Sequence, residues 1–457
     1  MHSLRVPLLV VLLLSPVPAA QAQEPIRGYL AMVGDQVVAA RGEDMLFVPA
    51  SVQKLVVAAA CLHYLGPDYR IETPVLADGP VVDGALEGDL VVVAMADPSW
   101  SRRWSDNAPL DSLLPDLRRR GVRRVRGDLV LDVTRFPGRA APVDRPLSES
   151  AFAFAAPTSA LAVEENVLEV EIAPGPRPGE AGRITGPEGY RWINRIRTVG
   201  AERHGRGTVD FVPRWGTREV LVEGEYPVSE PAYTVQLAEP APLLRAGEVL
   251  RSLLADGGIV VEGEVRTGSG VAPRTGRTLT VISSPPLRRL LEPVLSDSHN
   301  WYSDMLLRHL AVARSGEGRF AAGLGVLDEF WQEVLEVPAG SALGVDGSGL
   351  AKTTLVTPRA IVRLLAHAAG QPWFEHFRGA LASPGEGTLE GWKGPRISAK
   401  TGTLRHTHGL AGYLPRSSSQ PVIFAYFLNH HRAGKGSAWG EMGRALEDWR
   451  RQPTPKP

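Results

Sequence analysis

The sequence predicts an α+β fold, a sheet-and-helix unit interrupted by a long β-rich stretch, and three observations carry that prediction. Residues 29–40 alternate around Gly34-Asp35 and lead within a few positions into an apolar helix at Ser51. Beyond Pro67 the pattern changes to short β-rich runs broken by proline and glycine, and it stays so to about residue 230. Helical periodicity returns near Ala241, dominates 287–310, and gives way to two closing strands and a helix. Strands and helices come in blocks, without the regular alternation of a parallel βαβ sheet.

The chain has 457 residues, enough for two or three domains and a sizeable core. Lysine plus arginine number 50 and aspartate plus glutamate 50, so no net charge favours nucleic acid or an anionic membrane as a partner. Residues 1–22 read as a cleaved signal peptide: His2 and Arg5 precede an apolar run at 6–14, and Ala20-Gln21-Ala22 supplies a small-x-small cleavage site. That run is too short to span a bilayer, so no transmembrane anchor is expected. The single Cys61 excludes an intrachain disulfide. The mature protein is expected in the periplasm or secreted.

The first element is the hairpin around Gly34-Asp35, which passes through Phe47-Val48 into Pro49-Ala50-Ser51. Apolar residues at 52, 55, 56, 59 and 62 predict a short buried helix opening at Ser51 and stopped by Gly66-Pro67. Ser51 and Lys54 stand one turn apart on it, so a desolvated lysine there can take the serine proton. Two Gly-Asp-Leu-Val phrases, at 88–91 and 127–130, predict strands on either side of a helical run at 110–120. Residues 166–230 predict a small all-β module. The helical stretch 287–310 is broken by Ser296-Asp297-Ser298-His299-Asn300. The turn-rich loop Asp346-Gly347-Ser348-Gly349-Leu350 precedes a helix at 358–369, the strands 396–403 and 422–428, and a helix near 439–449. The proline-rich tail at 453–457 is expected to be disordered.

Three phrases now stand in order: Ser51-Val52-Gln53-Lys54 opening a helix, Ser298-His299-Asn300 breaking one, and Lys400-Thr401-Gly402-Thr403 on a strand. Together they resemble the Ser-x-x-Lys, Ser-x-Asn, Lys-Thr-Gly set of penicillin-interactive serine enzymes. More closely, the chain resembles the D-alanyl-D-alanine carboxypeptidase/endopeptidase family, the class C low-molecular-mass penicillin-binding proteins. Leu65-Gly66-Pro67-Asp68-Tyr69-Arg70, the Asp346 loop, Gly387-Thr388-Leu389 and Gly409-Leu410-Ala411-Gly412-Tyr413 carry that likeness, as does the long gap between Lys54 and Ser298.

The resemblance implies a transpeptidase-like catalytic domain, an antiparallel sheet with a helical cluster, from residues 23–73 and 283–457. An inserted domain is expected from 74–165 and 236–282, with a small all-β domain at 166–235 nested in it. It also implies the chemistry: Ser51 as nucleophile, Lys54 as its base, Ser298 and Asn300 as proton relay and holder, and Lys400 completing the catalytic set. Thr401, Gly402 and Thr403 would bind substrate, with backbone N–H groups of Ser51 and Thr403 as the oxyanion hole. Relatives often carry an arginine after the Asp-Gly-Ser-Gly-Leu loop; Lys352 stands there, a point charge without the bidentate fork. Asp132 resembles the family's acidic contact to the amine of the peptide's third residue, and Ser348 is a candidate substrate contact. A further departure is Met95-Ala96 ahead of Asp97-Pro98, where relatives have glycines.

The implied activity is cleavage of D-Ala-D-Ala termini or D-Ala crosslinks in peptidoglycan stem peptides through an acyl-enzyme, with β-lactams as covalent inhibitors. No cofactor and no metal are expected. His406, His408, His430 and His431 have no carboxylate or cysteine among them to complete a site. A serine β-lactamase and a non-catalytic peptidoglycan-binding scaffold are the alternatives, and the sequence sets no oligomeric state.

Overall fold

The computed structural model describes residues 24–452 apart from 105–108, 203–207, 269–275, 418–419 and 433. The expected signal peptide and the proline-rich tail lie outside the described residues.

Ile26–Val33 and Gln36–Arg41 form the antiparallel hairpin that the alternation around Gly34 predicts. Three strands from the last third complete a five-stranded antiparallel sheet in the order Gln36–Arg41, Ile26–Val33, Val422–Asn429, Thr407–Leu414, Ser398–Leu404. The sequence pattern predicts two of those three. Thr407–Leu414 escapes it because all eight of its residues are buried, which removes the alternation of a half-exposed strand, and two glycines lower its β propensity.

Each face of this sheet has its own core. On one face Ala411, Ala425 and Phe427 pack against Val52, Leu55, Val56 and the helices around them. On the other, Leu410, Leu414 and Phe424 meet Ala438, Met442 and Leu446 of the closing helix Lys435–Arg451. The helix Lys54–Leu65 is buried from Lys54 through Leu62, the pattern of a helix in the centre of a core. It starts three residues later than the sequence predicts. A 3₁₀ turn, Ala50–Gln53, precedes it, with Ala50 at φ +49°. Side chains at i and i+3 eclipse in a 3₁₀ turn, so this change brings Ser51 and Lys54 into closer alignment.

The intervening chain builds a second five-stranded sheet: Val265–Gly268, Leu129–Asp132, Asp89–Val93, Glu72–Asp78, Arg277–Ser283. The two Gly-Asp-Leu-Val phrases lie side by side in it, parallel, with Leu90 opposite Leu129. After Asp89–Val93, Ala96 takes φ +53°, so alanine occupies a left-handed position that a glycine would hold at less cost. Six further strands between Val167 and Ala238 form two three-stranded sheets around a separate core of Leu168, Val170, Ile172, Ile196, Val222 and Tyr226.

The helical stretch is two helices, Leu287–Leu295 and Asn300–Ser315, with the chain turning at Ser298 (φ +63°). The second helix fastens the intervening chain to the first sheet's unit. Its Arg308, only 2% exposed, donates to the carbonyl of Gly318, to the Thr158 hydroxyl at 2.8 Å and to the Phe136 carbonyl at 3.2 Å. Trp301 Nε1 donates to the Pro157 carbonyl at 3.1 Å. Among the described residues no helix is long and apolar enough to cross a membrane.

Candidate active site

The 3₁₀ turn, the broken helix and the Asp346 loop meet at one atom, Lys54 Nζ. It lies 2.8 Å from Ser51 Oγ, 2.7 Å from Asn300 Oδ1 and 2.6 Å from the Ser348 carbonyl oxygen. Two of those partners can only accept, and Asn300 is oriented because its Nδ2 donates to the Phe154 carbonyl at 2.8 Å. A neutral amine has two N–H bonds and one lone pair. An ammonium donates to all three oxygens, whereas the neutral amine donates to the two carbonyl oxygens and turns its lone pair to the Ser51 hydroxyl. Burial makes both forms accessible near neutral pH: it brings Lys54 down to about 7, a fall that Asp304 and Asp346 oppose and Arg145 assists.

The Lys-Thr-Gly strand packs against the serine turn. A Cβ on Gly402 would stand 2.3 Å from the Pro49 carbonyl oxygen and 3.3 Å from the Ser51 nitrogen, so only glycine permits this approach. Lys400 is fully buried, with Nζ 2.9 Å from the Thr401 carbonyl, and desolvation together with the nearby charge of Lys54 holds it well below the usual lysine range. Ser398–Leu404 is an edge strand, and Ala399 N–H points off that edge to the Ala382 carbonyl at 3.0 Å. By the two-residue period of a strand, Thr401 and Thr403 turn their N–H groups the same way.

Ser298 and Asn300 line a cleft of about 870 Å³ whose other wall includes Phe154, Glu165 and Arg103 from the intervening chain. His299 lines the same cleft and lies 2.9 Å from Glu165, which Arg103 clasps at 2.6 Å. Desolvation pushes the Glu165 carboxyl up, but the His299 and Arg103 bonds prevail and hold it near 2.

Asp346 organises the loop that carries the third acceptor. Its carboxylate takes the N–H groups of Gly349, Leu350 and Ala351 at 2.9–3.0 Å and the hydroxyls of Ser348 and Thr354. Gly349, at φ +74°, passes so close that a Cβ would meet the Ala50 carbonyl oxygen at 1.9 Å. The Asp346→Ala variant strands these buried donors. It should lower the thermal midpoint by roughly 10 °C, the equivalent of about 3–5 kcal/mol, and weaken acylation with it. Differential scanning calorimetry checks this, and an unchanged midpoint refutes it.

Two of the expected substrate contacts have bonds within their own loops. Ser348 is fully buried, its hydroxyl donates to Asp346, and its backbone carbonyl meets Lys54. Asp132 is 6% exposed, and its Oδ1 accepts from the backbone N–H of Thr134 at 2.9 Å and from its hydroxyl in a local turn. Lys352 is exposed beyond the loop and has no bond to the Ser51 cluster among the described residues. Sequence reasoning missed Asp304, one turn beyond Asn300 on the same helix, and Arg145, its buried partner. The His408 and His431 rings lie 5.6 Å apart, and no group of three or more metal-ligating side chains occurs among the described residues.

Residues 29–448 match the model of the D-Ala-D-Ala carboxypeptidase 3 (S13) family. The chain is 31% identical over 412 residues to a D-alanyl-D-alanine carboxypeptidase of Actinomadura sp. (strain R39), covering 85% of this chain and 74% of that one. The crystal structure of penicillin binding protein 4 (dacB) from Haemophilus influenzae aligns with a TM-score of 0.83 at 24% identity, over 94% of this chain and 95% of that one. A second structure of that protein, complexed with a β-lactam, aligns at 0.79 with the same identity and coverage.

Proposed function

The chain belongs to the D-Ala-D-Ala carboxypeptidase 3 (S13) family, and from that premise we propose that Ser51 is the nucleophile and Lys54 the base of a serine DD-carboxypeptidase. The observation that carries the reading is the 2.8 Å contact between Ser51 Oγ and the fully buried Lys54 Nζ, whose burial makes it a weak enough base to stand as an amine that accepts the Ser51 proton. Ser51 attacks the carbonyl of the penultimate D-alanine. The oxygen that becomes negative meets the N–H groups of Ser51 and Thr403, brought together by the close approach of Gly402. Lys400, Thr401 and Thr403 receive the terminal carboxylate, whose charge restores the proton to a lysine that burial leaves weakly basic. Ser298 passes the proton to the leaving amine, Asn300 holds Lys54 and the substrate amide in register, and water then releases the shortened peptide. Lys352, exposed beyond its loop, is offered to a carboxylate further along the stem peptide.

The same step at a D-Ala crosslink gives endopeptidase activity, and a β-lactam acylates Ser51 because its amide and carboxylate imitate the dipeptide. The separate core of the two small sheets supports a nested domain at 166–235, inside an insertion of 74–165 and 236–282, between catalytic halves 23–73 and 283–457. The apolar stretch and cleavage site at 1–22 support export to the periplasm or beyond.

Labelling with a fluorescent penicillin, alongside release of free D-alanine from a muropeptide, tests the reading. Persistent label with D-alanine release is the expected result. Rapid turnover of the penicillin identifies a β-lactamase instead, and a chain that takes no label and frees no D-alanine is a scaffold.

A further inference from the structure

The mechanism leaves one buried ion pair beside Lys54 unused. Arg145 and Asp304 bond with 5% and 0% of their side chains exposed. Asp304 comes from the helix that begins at Asn300, whereas Arg145 arrives from the intervening chain, more than 90 residues beyond Lys54 in sequence. Arg145 Nη1 also holds the carbonyls of Ala155 and Ala156 at 3.3 and 3.2 Å, and Nη2 lies 3.5 Å from Ser348 Oγ. Asp304 Oδ1 accepts the Gly347 N–H at 3.0 Å, next to the residue whose carbonyl meets Lys54. One guanidinium thus touches the segment that supplies the Phe154 carbonyl to Asn300, the helix that carries Asn300, and the Ser348 loop.

The charges around Lys54 make the pair's role specific. Asp304 faces it from the helix, Asp346 from the loop, Arg145 from the intervening chain and Lys400 from the strand, with Asp297 acting on Lys400. Asp346 spends its carboxylate on five donors of its own loop. Asp304 has no such set: among the described residues its hydrogen-bond partners are Arg145 and a single backbone N–H. Burial pushes the Asp304 carboxyl up and Arg145 opposes that, and an ionised carboxylate with no cation opposite it favours the ammonium form of Lys54, which cannot accept the serine proton.

We infer that Arg145 is a positioning residue for acylation: carried into the centre by the intervening chain, it offsets the charge of Asp304 beside the base that takes the Ser51 proton. The inference rests on Lys54 being the base. It makes the intervening chain part of the catalytic device, since the charge state of the centre depends on a residue that the two halves around Ser51 do not contain.

The test is the second-order rate of acylation by fluorescent penicillin between pH 5 and 9 for wild type, Arg145→Met, Arg145→Lys, Asp304→Asn and the Arg145→Met/Asp304→Asn double variant. In Arg145→Met the acid limb should move up by about one pH unit, a fall of about tenfold at pH 6 with recovery towards the wild-type rate at pH 9. Asp304→Asn should move the limb down, the double variant should bring it back to within about 0.3 units, and Arg145→Lys should leave it near wild type. A neutral pair in place of a buried ion pair is often well tolerated, so the double variant and Asp304→Asn still decide the question if Arg145→Met does not fold. Loss of rate by the same factor at every pH, or a limb that stays put in Asp304→Asn, overturns the inference and leaves Arg145 a packing residue. A wild-type rate with no acid limb at all strikes the assignment of Lys54 instead.

Discussion

Replacement of Ser51 by alanine is expected to abolish penicillin labelling and D-alanine release, a loss on the order of 10⁴-fold or more, with the fold intact. The substitution deletes one oxygen. Ser51 is half-buried, its hydroxyl is engaged with Lys54 Nζ, and the turn around it is held by backbone bonds such as Val52 N–H to the Pro49 carbonyl at 3.3 Å. Lys54 keeps its two carbonyl acceptors in the variant, and the approach of Gly402 to Pro49 and Ser51 does not involve the hydroxyl. Stability should therefore change by less than about 1 kcal/mol, within the range of substitutions that open no cavity and strand no buried donor. Intact-protein mass spectrometry after penicillin treatment, with peptide mapping, reads the outcome. An adduct that persists in Ser51→Ala, or one mapped in wild type to Ser298, removes Ser51 from the mechanism.

The parts of this site that the sequence made legible are those governed by local geometry. Ser51 and Lys54 share a face at any helical spacing, whether the turn is α or 3₁₀, and Asn300 had to open a helix because apolar spacing resumes after the polar break. Asp304 was legible by the same rule, four residues beyond Asn300, but nothing in the helical pattern says that a carboxylate on that face is useful. Arg145 and the Ser348 carbonyl were not legible. A backbone carbonyl has no sequence signature, and Arg145 reaches Asp304 only through tertiary packing across 159 positions. Asp132 is the opposite case: likeness assigned it a distant ligand, and the sequence does not announce the local bonds that Thr134, two residues on, makes to its Oδ1. In the fold the same division holds. The hairpin around Gly34 announces itself by alternation, while Thr407–Leu414, buried on both faces at the centre of the sheet's C-terminal half, has none to show.

Lys54→Met should cost acylation about 10³-fold or more, and its signature is the pH dependence that disappears with it. With the lysine near 7, the active form is the deprotonated one, so the wild-type rate climbs tenfold per unit up to about pH 7 and levels above it. Methionine fills nearly the same volume but accepts no proton, so the residual rate should be flat through that range. Stability gives an independent reading. The folded lysine releases its proton near 7, whereas an unfolded one keeps it to 10.5. Between those values the unfolded chain binds more protons, so this residue's contribution raises stability as pH increases from about 7 towards 10.5, and its cost is greatest below 7. The melting midpoint of Lys54→Met minus that of wild type should accordingly be most positive at pH 6 and shrink steadily to pH 10. A difference that stays constant across that range means that the buried ammonium is not destabilised, and with it falls the uncharged amine that deprotonation of Ser51 requires.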